Sequence, residues 1–243
     1  MNLFENINIS LNKKELISII GGGGKTTTMF RLADELSKHN KKVLVTTTTA
    51  ILKPKEDKYE KLIILEEGNT LNDVPKSGVT VLLKEIIKEN KYKGIDEEMV
   101  NEIYSSNIFD YIIVEADGAN MKPLKAPASH EPVIPGYTTK TICVVGMDCL
   151  GKKIYKENVH RPEIITKLTN SKLGDTITSD IIYEIIVASE GMFKNTPLKS
   201  DRYLILNKAE SKERVQAALE VKDKLIKNKF DIDEVIIGSM RGD

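Results

Sequence analysis

The chain has 243 residues, of which 40% are hydrophobic and 30% charged, with 36 basic and 36 acidic side chains. This is the composition of an ordinary globular protein, and the length suits one large α/β domain. The balanced charge provides no net positive charge to attract nucleic acid or an anionic membrane surface, so neither is expected as a partner.

The apolar runs and the cysteines favour a cytoplasmic protein. The longest apolar runs, such as LISII at 16–20, have the length of strands and are too short to span a bilayer. The first ten residues lack the basic region and the continuous apolar core of a secretory signal. Cys143 and Cys149 are too few for a disulfide framework or a four-ligand metal site, and two free thiols suit a reducing compartment.

Short apolar runs alternate with amphipathic stretches along the chain. Strands are predicted at 16–20, 42–46, 62–65, 79–83, 110–116, 141–146, 202–206 and 234–238. Helices are predicted at 27–40, 96–106 with Asp96 as N-cap, about 161–169, about 178–189 and 212–228. The alternation predicts an α/β fold with a doubly wound, mostly parallel sheet and helices on both faces. We expect a single domain over 1–243, with a small β-rich excursion at 55–95 that turns at EGN (67–69) and KSG (76–78).

The turn between the first strand and the first helix consists of glycines followed by a lysine and threonines. In parallel sheets this turn lies at the edge where ligands bind, and a helix N-terminus attracts an anion. The glycines let the backbone close on phosphate oxygens, the lysine supplies charge for the β- and γ-phosphates, and Thr26 can ligate Mg²⁺. The predicted nucleotide-binding residues are Gly21, Gly22, Gly23, Gly24, Lys25, Thr26 and Thr27. The fold is therefore expected to be P-loop NTPase-like.

The spacing of this turn differs from that of the common phosphate loop. The usual pattern requires glycine at position 19, which is Ile19 here, so the turn reads G-x-x-G-K-T-T. Two groups have a similar short loop: the Mur-type amide ligases, and the dimeric ATPases related to the nitrogenase iron protein and MinD. Ile20 stands where the dimeric ATPases carry their signature lysine, and the chain lacks room for the separate domains of a Mur ligase.

Two carboxylates end the apolar run at 110–116. Glu115 closes the predicted strand, and Asp117 begins the loop after it. An acid at this position in a P-loop NTPase holds Mg²⁺ or polarises the attacking water. Lys25, Glu115 and Asp117 are therefore the predicted catalytic residues, and Thr26, Glu115 and Asp117 the predicted metal ligands.

A proline-rich loop follows at 119–135. Its prolines restrict the backbone while Lys122, Lys125, His130 and Glu131 offer mixed charge at the carboxyl end of a strand, where specificity usually resides. His130 is as compatible with a structural role as with a catalytic one. Arg161 is one of few arginines in a lysine-rich chain, which a bidentate contact with phosphate or carboxylate would explain.

The strand at 202–206 leads into Asn207, Lys208 and Glu210. An Asn-Lys-x-acid sequence after a late strand is the arrangement with which GTPases read guanine, although Asp is usual where Glu210 stands. The extra methylene displaces the carboxylate, so we expect weak discrimination between ATP and GTP. An entry into a helix with polar residues is an equally good interpretation.

These segments together resemble the YqeC family. The resemblance is carried by GGGGKTTTMFRLADEL, VTTTTAI, IIVEADGANMKPLKAPASHEPVIP, VVGMDCLGK, VHRPE and LILNKAE, and it extends over essentially the whole chain. It implies a P-loop fold and an accessory role in the maturation of selenium-dependent molybdenum hydroxylases. The resemblance also includes His160 and Arg161, which lie in the VHRPE segment.

Two classes of function stay open at this point. In one, the protein is a P-loop NTPase or phosphotransferase that acts on a small molecule or a molybdenum-cofactor-related ligand, with His160, Arg161 and the loop at 119–135 around a second pocket. In the other, it is a nucleotide-gated assembly factor that binds a client molybdenum hydroxylase. A small Mur-like ligase is a further alternative. Each uses Mg²⁺ with ATP or GTP.

Overall fold

The computed structural model describes residues 2–68, 70–71 and 74–240. Its strands are β1 (Glu15–Gly21), β2 (Lys42–Thr47), β3 (Ala50–Leu52), β4 (Lys61–Ile64), β5 (Gly78–Leu83), β6 (Glu85–Lys88), β7 (Lys91–Lys93), β8 (Tyr111–Glu115), β9 (Leu124–Lys125), β10 (Lys140–Gly146), β11 (Val159–His160), β12 (Asp201–Asn207) and β13 (Glu234–Gly238). Its α-helices are α1 (Leu3–Asn6), α2 (Lys25–Ser37), α3 (Glu97–Ser105), α4 (Pro162–Leu168), α5 (Ser179–Val187) and α6 (Lys212–Lys227).

The centre of the fold is an eight-stranded sheet with the order β13-β12-β10-β1-β8-β2-β5-β4. Every neighbouring pair in it is parallel. All carboxyl ends therefore lie at one edge, where the turns after β1, β8, β10 and β12 meet. The predicted α/β, P-loop NTPase-like class, with its doubly wound and mostly parallel sheet, is confirmed.

Both faces of the sheet are covered. Side chains alternate along a strand, so Leu16 and Ile20 of β1 join one core while Ile17 and Ile19 join the other. Residues of α1 and α2 complete the second core, whereas α3, α4, α5 and α6 contribute to the first. The predicted helices on both faces are thus confirmed, and the nearly continuous apolar runs reflect burial on both sides.

The predicted elements agree with the structure except at their ends. The first long helix begins at Lys25 and ends at Ser37 rather than covering 27–40, because its first turn includes Lys25 and Thr26, which were assigned to the loop. Asp96 is the N-cap of α3, and its side chain accepts a hydrogen bond from Met99 N at 2.9 Å.

The stretch at 55–95 is divided between two sheets, which corrects the interpretation of it as one excursion. β4 and β5 extend the central sheet, since β5 is buried on both faces and pairs with β2. β6 and β7 form a separate antiparallel sheet with β3, so the excursion is shorter than expected and includes residues 50–52. Asn69, the end of the predicted EGN turn, lies outside the described residues.

One small sheet was not predicted. β9 and β11 pair in parallel, with Leu124 opposite Val159 and Lys125 opposite His160. Two-residue strands leave no periodic pattern in a sequence. Their pairing joins the loop after β8 to the segment that carries Arg161.

Across the described ranges, no helix combines the length and the apolarity needed to cross a bilayer.

Candidate functional site

The turn after β1 can be built only from glycines. Gly21, Gly23 and Gly24 have φ values of 95°, 75° and 132°, which strain residues with side chains. The neighbouring backbone is also too close: a Cβ on Gly22 would lie 2.6 Å from Lys122 O, and one on Gly23 would lie 2.2 Å from Gly146 N. The turn is therefore packed tightly between the loops that follow β8 and β10.

The glycine N–H groups are largely used inside the protein. Gly21 N donates to Asp117 Oδ2 at 2.9 Å, Gly22 N to Val144 O at 2.8 Å and Gly23 N to Lys122 O at 2.9 Å. In α2 the first intrahelical bond runs from Thr28 N to Gly24 O at 2.9 Å. The N–H groups of Lys25, Thr26 and Thr27 precede that bond and are directed out of the helix start. An anion would meet the start of α2 rather than the centre of the glycine turn.

Lys25 is buried behind this helix start. Its Nζ donates to Gly21 O at 2.8 Å and lies 3.1 Å from Asp117 Oδ1 and 3.6 Å from Glu115 Oε1. Burial acts to lower the pKa of Lys25, but the two carboxylates outweigh it and raise that pKa above its ordinary value. The predicted lysine is thus a fixed cation with two acidic partners.

The two predicted acids have different surroundings. Glu115 Oε2 accepts a hydrogen bond from Thr26 Oγ1 at 2.7 Å, and both side chains line a large cleft. Asp117 is only 2% exposed and lies behind the glycine turn. Its Oδ2 is 3.1 Å from Lys125 Nζ, so it contacts two buried lysines as well as Gly21 N. Glu115 borders the cleft, whereas Asp117 holds the turn together.

Lys125 and Glu131 continue the line of charges. Lys125 is 1% exposed, and its Nζ donates to Glu131 Oε2 at 2.7 Å and to Gly118 O at 2.8 Å. Arg161 donates to the same carboxylate through Nη1 at 2.6 Å and Nη2 at 3.0 Å. Burial acts to raise the pKa of Glu131, but these hydrogen bonds outweigh it and hold that pKa at about 2. We call Lys25, Asp117, Lys125, Glu131 and Arg161 the ion-pair chain.

His160 and Arg161 lie at the far end of this chain and line the same cleft as Glu115. Burial, followed by the charges of Arg161 and Lys125, lowers the pKa of His160. Its imidazole is therefore neutral at pH 7. Arg161 has the left-handed backbone conformation, with φ of 59°, directly before α4. Such a conformation is unfavourable for a residue with a side chain, and the bidentate contact with Glu131 helps to hold it.

Two predicted substrate residues are not brought to the cleft. Lys122 Nζ donates to Glu157 O at 2.8 Å, and His130 is exposed in the turn between Ala128 and Glu131. Neither contributes to the lining of the cleft. No motif marks this outcome in the sequence, because the positions of both side chains depend on how the loop packs against distant segments.

The predicted base-reading residues are engaged in internal contacts. Asn207 Nδ2 donates to Gly23 O at 2.8 Å, while its Oδ1 accepts from Lys208 N at 2.9 Å and Met240 N at 2.8 Å. Lys208 Nζ pairs with Asp148 at 2.9 Å, and Glu210 accepts from Ser239 Oγ at 2.9 Å. None of the three predicted residues lines the cleft. Base reading by them stays a prediction.

The cleft has a volume of about 1360 Å³. The cleft runs along α2 from Thr26 to Lys38. A helix of this length extends about 20 Å. Its cationic lining residues are Arg31, Lys38, Lys53, Lys55, Lys58, Lys88, Lys91 and Arg161, and its acidic ones are Asp34, Glu35, Glu89, Glu115 and Glu131. The excess of cations suits an anionic ligand.

Sequence reasoning missed the wall of this cleft that is formed by β3 and by the hairpin of β6 and β7. Lys53 N donates to Asn90 O at 3.0 Å, which brings the lysines after β3 next to those of the hairpin. The balanced net charge of the chain conceals this local excess. Lysines spaced along a hairpin also give no motif that a sequence could reveal.

The described residues contain no group of three or more His, Cys, Asp or Glu side chains arranged to hold a metal ion. Mg²⁺ commonly binds one or two carboxylates together with waters and substrate phosphates, so Thr26 and Glu115 fit that ion. The two cysteines are free and buried, and burial raises the pKa of Cys143 and takes that of Cys149 to about 12. Both thiols lie in the hydrophobic core and do not line the cleft.

A family model described as YqeC protein matches residues 17–163, more than half of the chain. The chain belongs to the YqeC family. The matched region contains the glycine turn, Glu115, Asp117 and every residue of the ion-pair chain. Asn207, Lys208 and Glu210 lie beyond it, so the family relationship bears on the cleft rather than on the predicted base site.

A relative within the family comes from Escherichia coli strain K12 and carries the name Uncharacterized protein YqeC. It is 29% identical over 153 residues, which cover 63% of this chain and 59% of the relative. The matched part is thus less than two thirds of the length of that protein, and its name assigns no activity.

Proposed function

We propose that this YqeC protein binds a Mg²⁺-nucleotide with its phosphates at the start of α2, and that it hydrolyses or transfers the γ-phosphate. The observation that carries the proposal is the position of Lys25. It is a buried cation directly behind a helix start that borders a cation-rich cleft, and Glu115 faces that cleft beside Thr26.

The electrostatics of Lys25 support an anionic ligand. Its ammonium is held by Gly21 O and by two carboxylates, so an arriving phosphate would exchange one set of negative partners for another. The N–H groups of Lys25, Thr26 and Thr27 would add the donors of the helix start. The turn is already in its tight conformation, and little backbone rearrangement would be required.

Thr26 and Glu115 would hold the magnesium ion. Their oxygens are 2.7 Å apart, and both belong to the hard-oxygen class that Mg²⁺ prefers. When bound, this ion would neutralise charge on the phosphates. Asp117 would keep Lys25 and Gly21 in position rather than contact the ligand.

In hydrolysis, a water oxygen bonds to the γ-phosphorus as the bond to the bridging oxygen of the diphosphate breaks. Glu115, at the cleft surface, would orient that water and accept its proton. Lys25 would remain charged and stabilise the negative charge that develops on the phosphate oxygens. In transfer, an acceptor bound in the same cleft would replace the water.

The test is equilibrium titration of Mg²⁺-ATP and Mg²⁺-GTP against the wild type, Lys25→Ala and Lys140→Ala. Lys140 is the matched control, because it is also buried and ion-paired, with Asp201 at 2.8 Å, but begins β10 at the opposite edge of the sheet. Loss of nucleotide binding in Lys25→Ala alone is expected. Equal nucleotide affinity in the wild type and a folded Lys25→Ala would overturn the proposal.

The proposed biological role rests on the family resemblance. We propose that nucleotide turnover serves the maturation of a selenium-dependent molybdenum hydroxylase, either through chemistry on a small ligand or through gated binding of the client enzyme. The cleft exceeds the roughly 300–1,000 Å³ of ordinary ligand pockets, so it has room for a small ligand beside the nucleotide. Measuring NTPase turnover with added small anions and separately with a client hydroxylase distinguishes the two. Stimulation by the client alone would favour the gated assembly factor.

A further inference from the structure

The guanidinium of Arg161 is only half used by the protein. Glu131 occupies its end-on fork, with Nη1 donating to Oε2 at 2.6 Å and Nη2 to Oε1 at 3.0 Å. The other Nη1 hydrogen is directed to Ala126 O at 3.1 Å. Within the described residues, Nε–H and the second Nη2 hydrogen have no partner. These two form the side-on fork, which matches a carboxylate or a phosphate.

This free fork belongs to a rigid site. Arg161 is 22% exposed and lines the cleft, while the carboxylate that holds it is 7% exposed and also bound by Lys125. Glu131 therefore cannot turn outward to serve as a ligand group without leaving Arg161 without its carboxylate and Lys125 with Asp117 alone. It fixes the orientation of the arginine, so the fork is oriented before any ligand arrives.

The neighbouring groups suit an anion as well. His160 precedes Arg161 and lines the same cleft, and a neutral imidazole can donate one hydrogen bond. Gly118 to Met121 form the adjacent part of the wall, with Glu115 at its other end. Between Arg161 and Lys25 the ion-pair chain is continuous, through Glu131, Lys125 and Asp117.

We infer that His160 and Arg161 form a second binding site, for the carboxylate or phosphate group of a small molecule, separate from the phosphates of the nucleotide. The inference deepens the proposed function, since it names the chemical class of the second ligand in the same cleft. Carboxylate and phosphate share the recognition chemistry, and the test has one arm for each.

The experiment titrates inorganic phosphate and, separately, succinate into the protein without nucleotide, by calorimetry. The variants are Arg161→Lys, Lys25→Ala and Arg202→Lys. Arg161→Lys keeps the charge beside Glu131 but removes the planar fork. Arg202 is the matched control: it is also 22% exposed and ion-paired, with Asp231 at 3.3 Å, but lies on β12 outside the cleft.

We expect at least one of the two anions to bind the wild type and to bind Arg161→Lys ten-fold or more weakly, while Arg202→Lys binds it as the wild type does. The anion that binds identifies the ligand as a phosphate or a carboxylate. Loss of binding in Lys25→Ala with full binding in Arg161→Lys would place the anion at the start of α2 and overturn the inference. So would the absence of binding by either anion.

A readout without substitutions covers the case in which Arg161→Lys does not fold. The chain has only three histidines, so ring resonances of His160 can be followed beside those of His39 and His130. The bound anion should shift the resonances of His160 alone, and a saturating titration that leaves them unmoved contradicts the inference. Nucleotide titration of Arg161→Lys separates the two proposals, because it should still bind Mg²⁺-ATP or Mg²⁺-GTP. If the protein does not bind nucleotide, the anion is still expected to bind at Arg161.

Discussion

At the scale of single residues, three carboxylates near one another have three different tasks. Glu115 accepts a hydrogen bond from a threonine hydroxyl and faces the cleft. Asp117 contacts two lysines and a glycine N–H. Glu131 forms ion pairs with a lysine and an arginine. The sequence motif presents Glu115 and Asp117 as equivalent candidates. Their burial separates them, and the separation can be measured.

Glu115→Gln should slow nucleotide turnover far more than it weakens nucleotide binding. The amide keeps the size of the side chain and one acceptor oxygen but removes the negative charge that would orient and deprotonate water. Turnover and equilibrium affinity should be measured for the same preparation over a range of Mg²⁺ concentrations. A shift in metal dependence would identify Glu115 as a metal ligand too, whereas unchanged turnover would exclude it from the mechanism.

Asp117→Asn should instead destabilise the fold. It leaves Lys25 and Lys125 without their shared buried anion, and breaking a buried ion pair costs about 3–5 kcal/mol. Urea unfolding of the variant beside Glu115→Gln measures the difference in free energy of unfolding. Equal stability of the two variants would contradict the assignment of Asp117 as the residue that holds the turn.

Glu131 should make stability depend on pH in the acid range. Its pKa is about 2 in the folded protein against an ordinary value of 4.5, so its contribution is complete above pH 4.5 and is lost as pH falls toward 2. The free energy at stake is roughly 3 kcal/mol. Urea unfolding between pH 5 and 3 should show this decline in the wild type and a shallower one in Glu131→Gln. Parallel declines would contradict the expectation.

At the scale of elements, the strand and helix pattern was readable because each long element buries a continuous apolar face. Patterns in β1, β8, β10 and β12 predicted these strands to within one or two residues. The two-residue strands β9 and β11 could not be predicted, since their pairing depends on contacts between distant segments. The side chains that contact the glycine turn could not be predicted from the sequence either. Asn207 is the clearest example, because it donates to Gly23 O from a distant strand.

Asn207→Ala should weaken the binding of ATP and GTP by a similar factor. The side chain joins the glycine turn to the end of β12 and to Met240, so its loss should loosen the phosphate site rather than a base pocket. Titration of both nucleotides against the variant, with Asn228→Ala as a control at an exposed position, gives the ratio of affinities. A selective loss of GTP binding would instead identify Asn207 as a reader of guanine.

At the scale of the whole molecule, the parallel sheet brings all these groups to one edge. The turn after β1 supplies the candidate phosphate site, the loop after β8 supplies the acids, and β9 with β11 adds Arg161. The sequence predicted the first two, because each follows a recognisable strand. It did not predict the lysine-rich wall of the cleft, which arises from the packing of β3 against the hairpin of β6 and β7.

The most direct test of the nucleotide proposal is a crystal structure of the protein with Mg²⁺ and a nucleotide whose β,γ-bridge resists hydrolysis. The phosphates should lie against the N–H groups of Lys25, Thr26 and Thr27, with Lys25 Nζ in contact with the terminal phosphates and the metal ion beside Thr26 and Glu115. A nucleotide bound elsewhere, with Lys25 still paired only to Asp117 and Glu115, would contradict the account.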